Sequence, residues 1–161
     1  MGEDDFEEIY TISERHPQPI YVGRDRPDWD TYFLNIAADV ALRGDCVRDR
    51  VGAVLVNGDR RIVGTGYNGV RSGLPGCIER PCERVSKALR GESICPGYSD
   101  CRSTHAEANV LLEADWKSCQ GANLYTSRQP CTSCVKLIRS AGVSLVIYPG
   151  ERAGYPNYMS L

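Results

Sequence analysis

The sequence predicts an α/β domain, a mixed sheet with helices packed on it, and three observations carry this. Apolar residues recur at helical and at strand-like spacing along the chain in the order α, β, β, α, β, α, β. Glycine, proline and asparagine clusters punctuate those segments. The length of 161 residues suits one domain around a single buried core.

Residues 1–27 read as an acidic N-terminal extension, broken by Pro17 and Pro19. The domain proper spans residues 28–150. Pro27 and Asp28 open a helix in which Trp29, Phe33, Ile36, Ala37, Val40 and Ala41 share one face, and Gly44 ends the pattern. "VGAVLVNGDRRIVGTGYNG" reads as two strands joined through Asn57, Gly58 and Asp59. A Cys-rich insertion over residues 71–104 follows, irregular except for a short helical patch near 82–90. So long a loop within one domain is usually functional. The spacing then predicts a helix over 105–115, a strand at "ANLYTS", a helix over 131–141 closed by Gly142, and a strand at "VSLVIY". The later strands are expected to run parallel. Residues 151–161 read as a short C-terminal tail, so that the sheet either stops at four strands or has its edge covered by the N-terminal extension.

Composition narrows the class. The 42% hydrophobic and 25% charged fractions are those of a globular protein, and no apolar run approaches a membrane span. The start "MGEDDFEEIY" is acidic where a secretory leader is basic and apolar, and Phe6 breaks a myristoylation pattern. Eight cysteines are read as thiols of a reducing compartment, hence a cytoplasmic protein. Residues 1–14 hold six acids and no base, leaving 15 acids against 19 bases in the rest. That mild excess suits a small anionic ligand; long nucleic acid calls for a stronger basic patch.

The chemistry concentrates in "STHAEANVLLEADW" and "RQPCTSC". Cys131 and Cys134 are three residues apart at a helix start after Pro130, which puts both sulfurs on one face, where the helix N-terminus favours thiolates. With His105 they make three protein ligands and leave a fourth tetrahedral position for water, the mark of a catalytic zinc. Glu107, two residues from His105, does not share the metal from the same helix face. From the first turn it can take a proton from the activated water and pass it on, which is general acid/base work. A structural zinc knuckle could use the same three ligands but has no need of Glu107.

The pair H-x-E and P-C-x-x-C is the signature of zinc-dependent nucleobase deaminases. Together with "GTGYNGVRSGLPGC" and the Asn109 of "HAEAN", it resembles the deoxycytidylate (dCMP) deaminase branch of the cytidine deaminase superfamily over roughly residues 28–150. The resemblance implies a three-layer α/β/α fold with a mixed sheet of four to five strands. It implies zinc on His105, Cys131 and Cys134, with Glu107 as proton shuttle in the hydrolysis of dCMP to dUMP and ammonia. The Ala106 N–H would meet the pyrimidine carbonyl and Asn68 the sugar hydroxyl, with Asn109 a further substrate-binding residue. Cys77, Cys82, Cys95 and Cys101 would hold a second, structural zinc, while Cys46 and Cys119 read as packing residues. A homo-oligomer, activated by dCTP and inhibited by dTTP, is the implied regulatory unit. For the 5′-phosphate, the residues themselves offer Arg71 and Ser72 on "GVRSGLPG".

Two rivals remain at this level. A tRNA or single-stranded DNA deaminase would need stacking platforms and a basic groove, and the aromatic fraction is only 8%. A catalytically silent zinc-stabilised interaction module would have no use for Glu107.

Overall fold

A computed structural model describes residues 26–95, 98, 100–150 and 156–161. The acidic extension falls almost entirely outside the described residues, and with it the expectation that it covers a sheet edge. Helix α1 runs Trp29–Ala41, and the Asp28 carboxylate caps it by accepting from Thr31 N–H at 2.8 Å. Strands β1 (Gly52–Val56) and β2 (Ile62–Tyr67) form the expected antiparallel hairpin. Then come α2 (Glu83–Leu89), α3 (Ala106–Glu113), a one-turn α4 (Trp116–Cys119), β3 (Asn123–Thr126), α5 (Thr132–Ser140), β4 (Leu145–Pro149) and β5 (Pro156–Ser160).

The strand order is β2-β1-β3-β4-β5. Strands β3 and β4 run parallel, joined by the α5 crossover; every other neighbouring pair is antiparallel. Five strands agree with the four to five that the resemblance implies, but the reading of residues 151–161 as a tail beside a four-stranded sheet needs correcting. The sheet has five strands, because Pro156–Ser160 of the supposed tail pairs along β4. The short α4 also escaped the periodicity reading, since one turn carries too little pattern. What docks β5 is a long-range contact: Tyr158 Oη donates to Asp30 Oδ2 at 2.6 Å, and Tyr125 Oη donates to Asp30 Oδ1 at 2.8 Å.

Alternation along the strands sorts the core into two layers. Val54, Val56, Tyr125 and Ile147 meet Phe33 and Ala37 of α1. Ala53, Leu55, Leu124 and Val146 meet Ala106 and Val110 of α3 with Cys134 and Ile138 of α5. Strand β1 is therefore buried on both faces. Two glycines let the helices lie directly on the sheet. A β-carbon at Gly52 would stand 2.1 Å from the Ala37 carbonyl oxygen, and one at Gly66 would stand 2.5 Å from that of Ala106. Helix α5 ends with Gly142 at φ +84°, where Val143 N–H bonds Ile138 O and Gly142 N–H bonds Arg139 O. That double bond is the Schellman closure, and it aims the chain into β4.

Candidate active site

The site is assembled from two helix starts. His105 is the N-cap of α3, with extended backbone (φ −70°, ψ 154°), and Glu107 is the second residue of the helix. Their side chains diverge for that reason: one leaves before the helix begins and the other from its first turn. Cys131 is the N-cap of α5 in the same extended conformation, and Cys134 lies in its first turn.

Tertiary contacts hold both starts in place. Gly69 and Thr104 exchange backbone hydrogen bonds at 2.9 and 3.1 Å, which ties the chain after β2 to the residue before His105. Asn109 Nδ2 donates to Tyr67 O at 2.7 Å and adds a second tie. On the other side, Gly52 N–H donates to Ser127 Oγ at 3.0 Å, anchoring the loop between β3 and α5 to β1.

These anchors bring His105 to Cys131 and Cys134, which lie 26 and 29 positions further along the sequence. His105 Nδ1 lies 3.6 Å from Cys131 Sγ and 3.4 Å from Cys134 Sγ. Among the described residues, His105, Cys131 and Cys134 are the one group of three or more such side chains whose donors all lie within 4.8 Å of one another. One imidazole and two thiols at this spacing fit a tetrahedral zinc with a position left open. Glu107 is buried beside them, its Oε2 3.6 Å from Cys134 Sγ. Burial pushes its carboxyl above the ordinary value. Burial also pushes the Cys134 thiol up, aided by Glu107 and Cys131, against the thiolate expected at a helix start. A metal's positive charge reverses that balance.

A cavity of about 300 Å³ opens over these groups. Asn68, Ala106, His105, Glu107 and Cys131 line it. The Asn68 side chain is itself held: Oδ1 accepts from Val51 N–H and Nδ2 donates to Asp49 O, each at 2.8 Å. Other expected site residues lie elsewhere. Arg71 and Ser72 are exposed and do not line the cavity, nor does Asn109, whose amide is spent on Tyr67. Cys77, Cys82 and Cys101 line the cavity, whereas Cys95 is exposed and does not. Cys119 packs in the core as expected, but Cys46 stands on the cavity wall with the loop thiols.

Several lining residues escaped the sequence reading. Arg84 is buried, donates to Asp100 and to Cys95 O, and lies 4.7 Å from the ring centroid of Tyr98. Tyr98 in turn meets the His105 ring edge-on at 5.0 Å, from a backbone at φ +66°. Arg48 and Asp49 come from the loop before β1, and Arg128 and Gln129 from the loop before Cys131. For the last two a positional signal existed, since they directly precede "PC"; the others carry no local pattern.

Comparison with known proteins gives the family. The family model for the cytidine and deoxycytidylate deaminase zinc-binding region matches residues 27–149. The chain is similar to the deoxycytidylate deaminase of Mycobacterium phage D29, with 50% identity over 78% of this chain and 98% of that one. It is 41% identical to the Schizosaccharomyces pombe deoxycytidylate deaminase over 78% of its own length, but spans only 38% of that protein. Among solved structures, the cyanophage S-TIM5 dCMP deaminase in complex with dCMP and dUMP superposes with a TM-score of 0.59 at 27% identity, covering 78% of this chain and 83% of that one.

Proposed function

Because the chain belongs to the cytidine and deoxycytidylate deaminase zinc-binding family, we propose that it hydrolyses dCMP to dUMP and ammonia and so supplies dUMP for thymidylate synthesis. The observation that carries this is the 50% identity with the phage deoxycytidylate deaminase over 98% of that enzyme's length, joined to a buried Glu107 beside the His105–Cys131–Cys134 group.

His105, Cys131 and Cys134 hold the zinc. When bound, it supplies Lewis acidity that lowers the pKa of water towards roughly 7 in favourable sites. The rest is the work of the chain. Glu107 Oε2 accepts one proton from water and delivers it to N3 of the pyrimidine as the oxygen adds at C4. It then passes the second proton, from the new C4 hydroxyl, to the amino group, so that the C4 carbonyl forms as the C4–N bond breaks and ammonia departs. Its burial suits this, because a carboxyl with a raised pKa exchanges a proton more readily near neutrality. The Ala106 N–H meets the pyrimidine carbonyl and Asn68 the sugar hydroxyl. Asn68 retains one amide N–H and one Oδ1 lone pair beyond its two backbone bonds.

The reading extends to parts supported by sequence resemblance. Cys77, Cys82, Cys95 and Cys101 hold a structural zinc; three of them, with Cys46, share the cavity wall. The protein works as a cytoplasmic homo-oligomer with dCTP and dTTP as effectors near residues 66–73. Among the described residues no helix is long and apolar enough to cross a membrane.

The test is a zinc assay joined to turnover of cytidine, CMP, dCMP, dCTP and adenosine by the purified protein. dCMP is expected to give dUMP with the highest kcat/KM. Best turnover of adenosine or of an oligonucleotide would overturn the assignment.

A further inference from the structure

The Cys-rich insertion delivers one aromatic ring to His105. Tyr98 lines the cavity and meets the His105 ring edge-on, with centroids 5.0 Å apart and planes 79° apart. His105 Nδ1 lies 3.6 and 3.4 Å from the two sulfurs, while Nε2 has no hydrogen-bond partner among the described residues. A metal-bound imidazole is ordinarily oriented by a hydrogen bond from that second nitrogen. Here a ring contact stands in its place.

Tyr98 is held there against its backbone preference. Its φ of +66° is a left-handed conformation that residues with a β-carbon rarely adopt. Such strain persists only where the surroundings over-determine it, and it clusters at functional sites. Arg84 supplies those surroundings. Its guanidinium carbon lies 4.7 Å from the Tyr98 ring centroid, a cation–π distance. Arg84 is itself buried, pairs with Asp100 and donates to Cys95 O at 3.0 Å. Its Nε is buried without a hydrogen-bond partner among the described residues, which fits a guanidinium placed for its flat face rather than for all its donors. Cys101 N–H donates to Tyr98 O at 2.9 Å and fixes the backbone from the other end.

We propose that Tyr98 is a positioning residue for His105, with the Arg84–Asp100 pair as the brace behind it. This rests on the reading of His105 as a zinc ligand and is independent of which cytosine substrate is turned over. The edge-on contact fixes the imidazole plane, so that Nδ1 points to Cys131 and Cys134 before a metal arrives. Residues 71–104 thereby have a task at the catalytic centre that is separate from a structural zinc.

The test follows the zinc that His105→Ala lacks, in the wild type, Tyr98→Leu and Tyr98→Phe, by competition with a chromophoric chelator. Tyr98→Leu should bind that zinc about ten- to a hundredfold more weakly, the usual effect of losing a contact behind a metal ligand. With cobalt(II) in place of zinc, the visible absorption of that site should shift as well. Tyr98→Phe keeps the ring and should match the wild type in both affinity and spectrum. Tyr98 is 41% exposed, so its truncation leaves the packed core untouched. Wild-type affinity and spectrum in Tyr98→Leu would overturn the brace and leave His105 as a ligand. An equal loss in Tyr98→Phe would overturn it too, since the ring would not be what acts. If His105→Ala lacks no zinc that the wild type holds, the ligand reading fails and the brace fails with it.

Discussion

Glu107 Oε2 lies 3.6 Å from Cys134 Sγ, so the proposed proton carrier and a proposed metal donor face each other from the starts of two different helices. The carboxylate comes from α3, the thiol from α5, and both are buried. Division of labour follows. Glu107→Gln keeps the shape of the site and removes the proton exchange. It is expected to retain zinc and to lose about a hundredfold or more in kcat, since positioned proton transfer is typically worth 10²–10⁴. Cys131→Ser and His105→Ala should lose both metal and activity. Near-normal turnover by Glu107→Gln would sink the mechanism.

Metal stoichiometry separates the two proposed zinc sites. Elemental analysis of the purified chain is expected to return two zinc ions, falling to one in Cys77→Ser or Cys82→Ser. Burial and the neighbouring Cys82 push the Cys77 thiol up to about 11, so only a bound cation makes it a thiolate at neutral pH. One zinc in the clean wild type would remove the structural site and leave the catalytic one intact.

Effector control is expected to act through residues 66–73. Gly69 there is hydrogen-bonded to Thr104, the residue before His105, so a shift of the loop reaches that proposed metal ligand directly. Saturation curves for dCMP should sharpen towards hyperbolic with dCTP and weaken with dTTP, which requires each nucleotide to bind two states unequally. Curves indifferent to both nucleotides would discard the regulation.

Gly66 tests how closely the sheet and α3 must approach. A β-carbon there would stand 2.5 Å from both Ala106 O and Val110 N, which are backbone atoms and cannot rotate away. Gly66→Ala is expected to cost about 1–3 kcal/mol in denaturant unfolding, as overpacking does. It should also cut kcat, because α3 carries Glu107. A variant as stable and active as the wild type would show that the helix gives way freely.

Alkaline stability tests the docking of β5. Tyr158 and Tyr125 both donate to Asp30, with Asp28 nearby. The bond to Asp30 pushes the Tyr158 phenol up to about 12, and burial pushes Tyr125 above its ordinary value. Both folded values lie above those of the unfolded chain, near 10. The stabilisation is therefore fully present below about pH 10 and is lost as the pH rises towards 12. Thermal melts from pH 8 to 11.5 should show that decline. Tyr158→Phe should melt lower at pH 8 and fall less steeply above pH 10; an unchanged slope would refute the coupling.

The sequence by itself determined the α/β class, the order of the main elements and the identity of the chemical groups. Helix and strand periods are local, and zinc chemistry restricts its donors to few residue types, so H-x-E and P-C-x-x-C were legible without any coordinates. Caps at Asp28 and Gly142 were legible for the same reason, because they act within one turn. Tertiary structure decided everything that depends on distant partners. Residues 156–160 look like a tail until β4 and Asp30 are there to receive them. Arg71 lies on an attractive loop, yet packing turns it outward and brings Arg48 and Arg128 to the cavity rim through Asp49. Asp49 and Arg128, 79 positions apart, meet only because β1 and β3 are neighbours, and no local pattern encodes that adjacency.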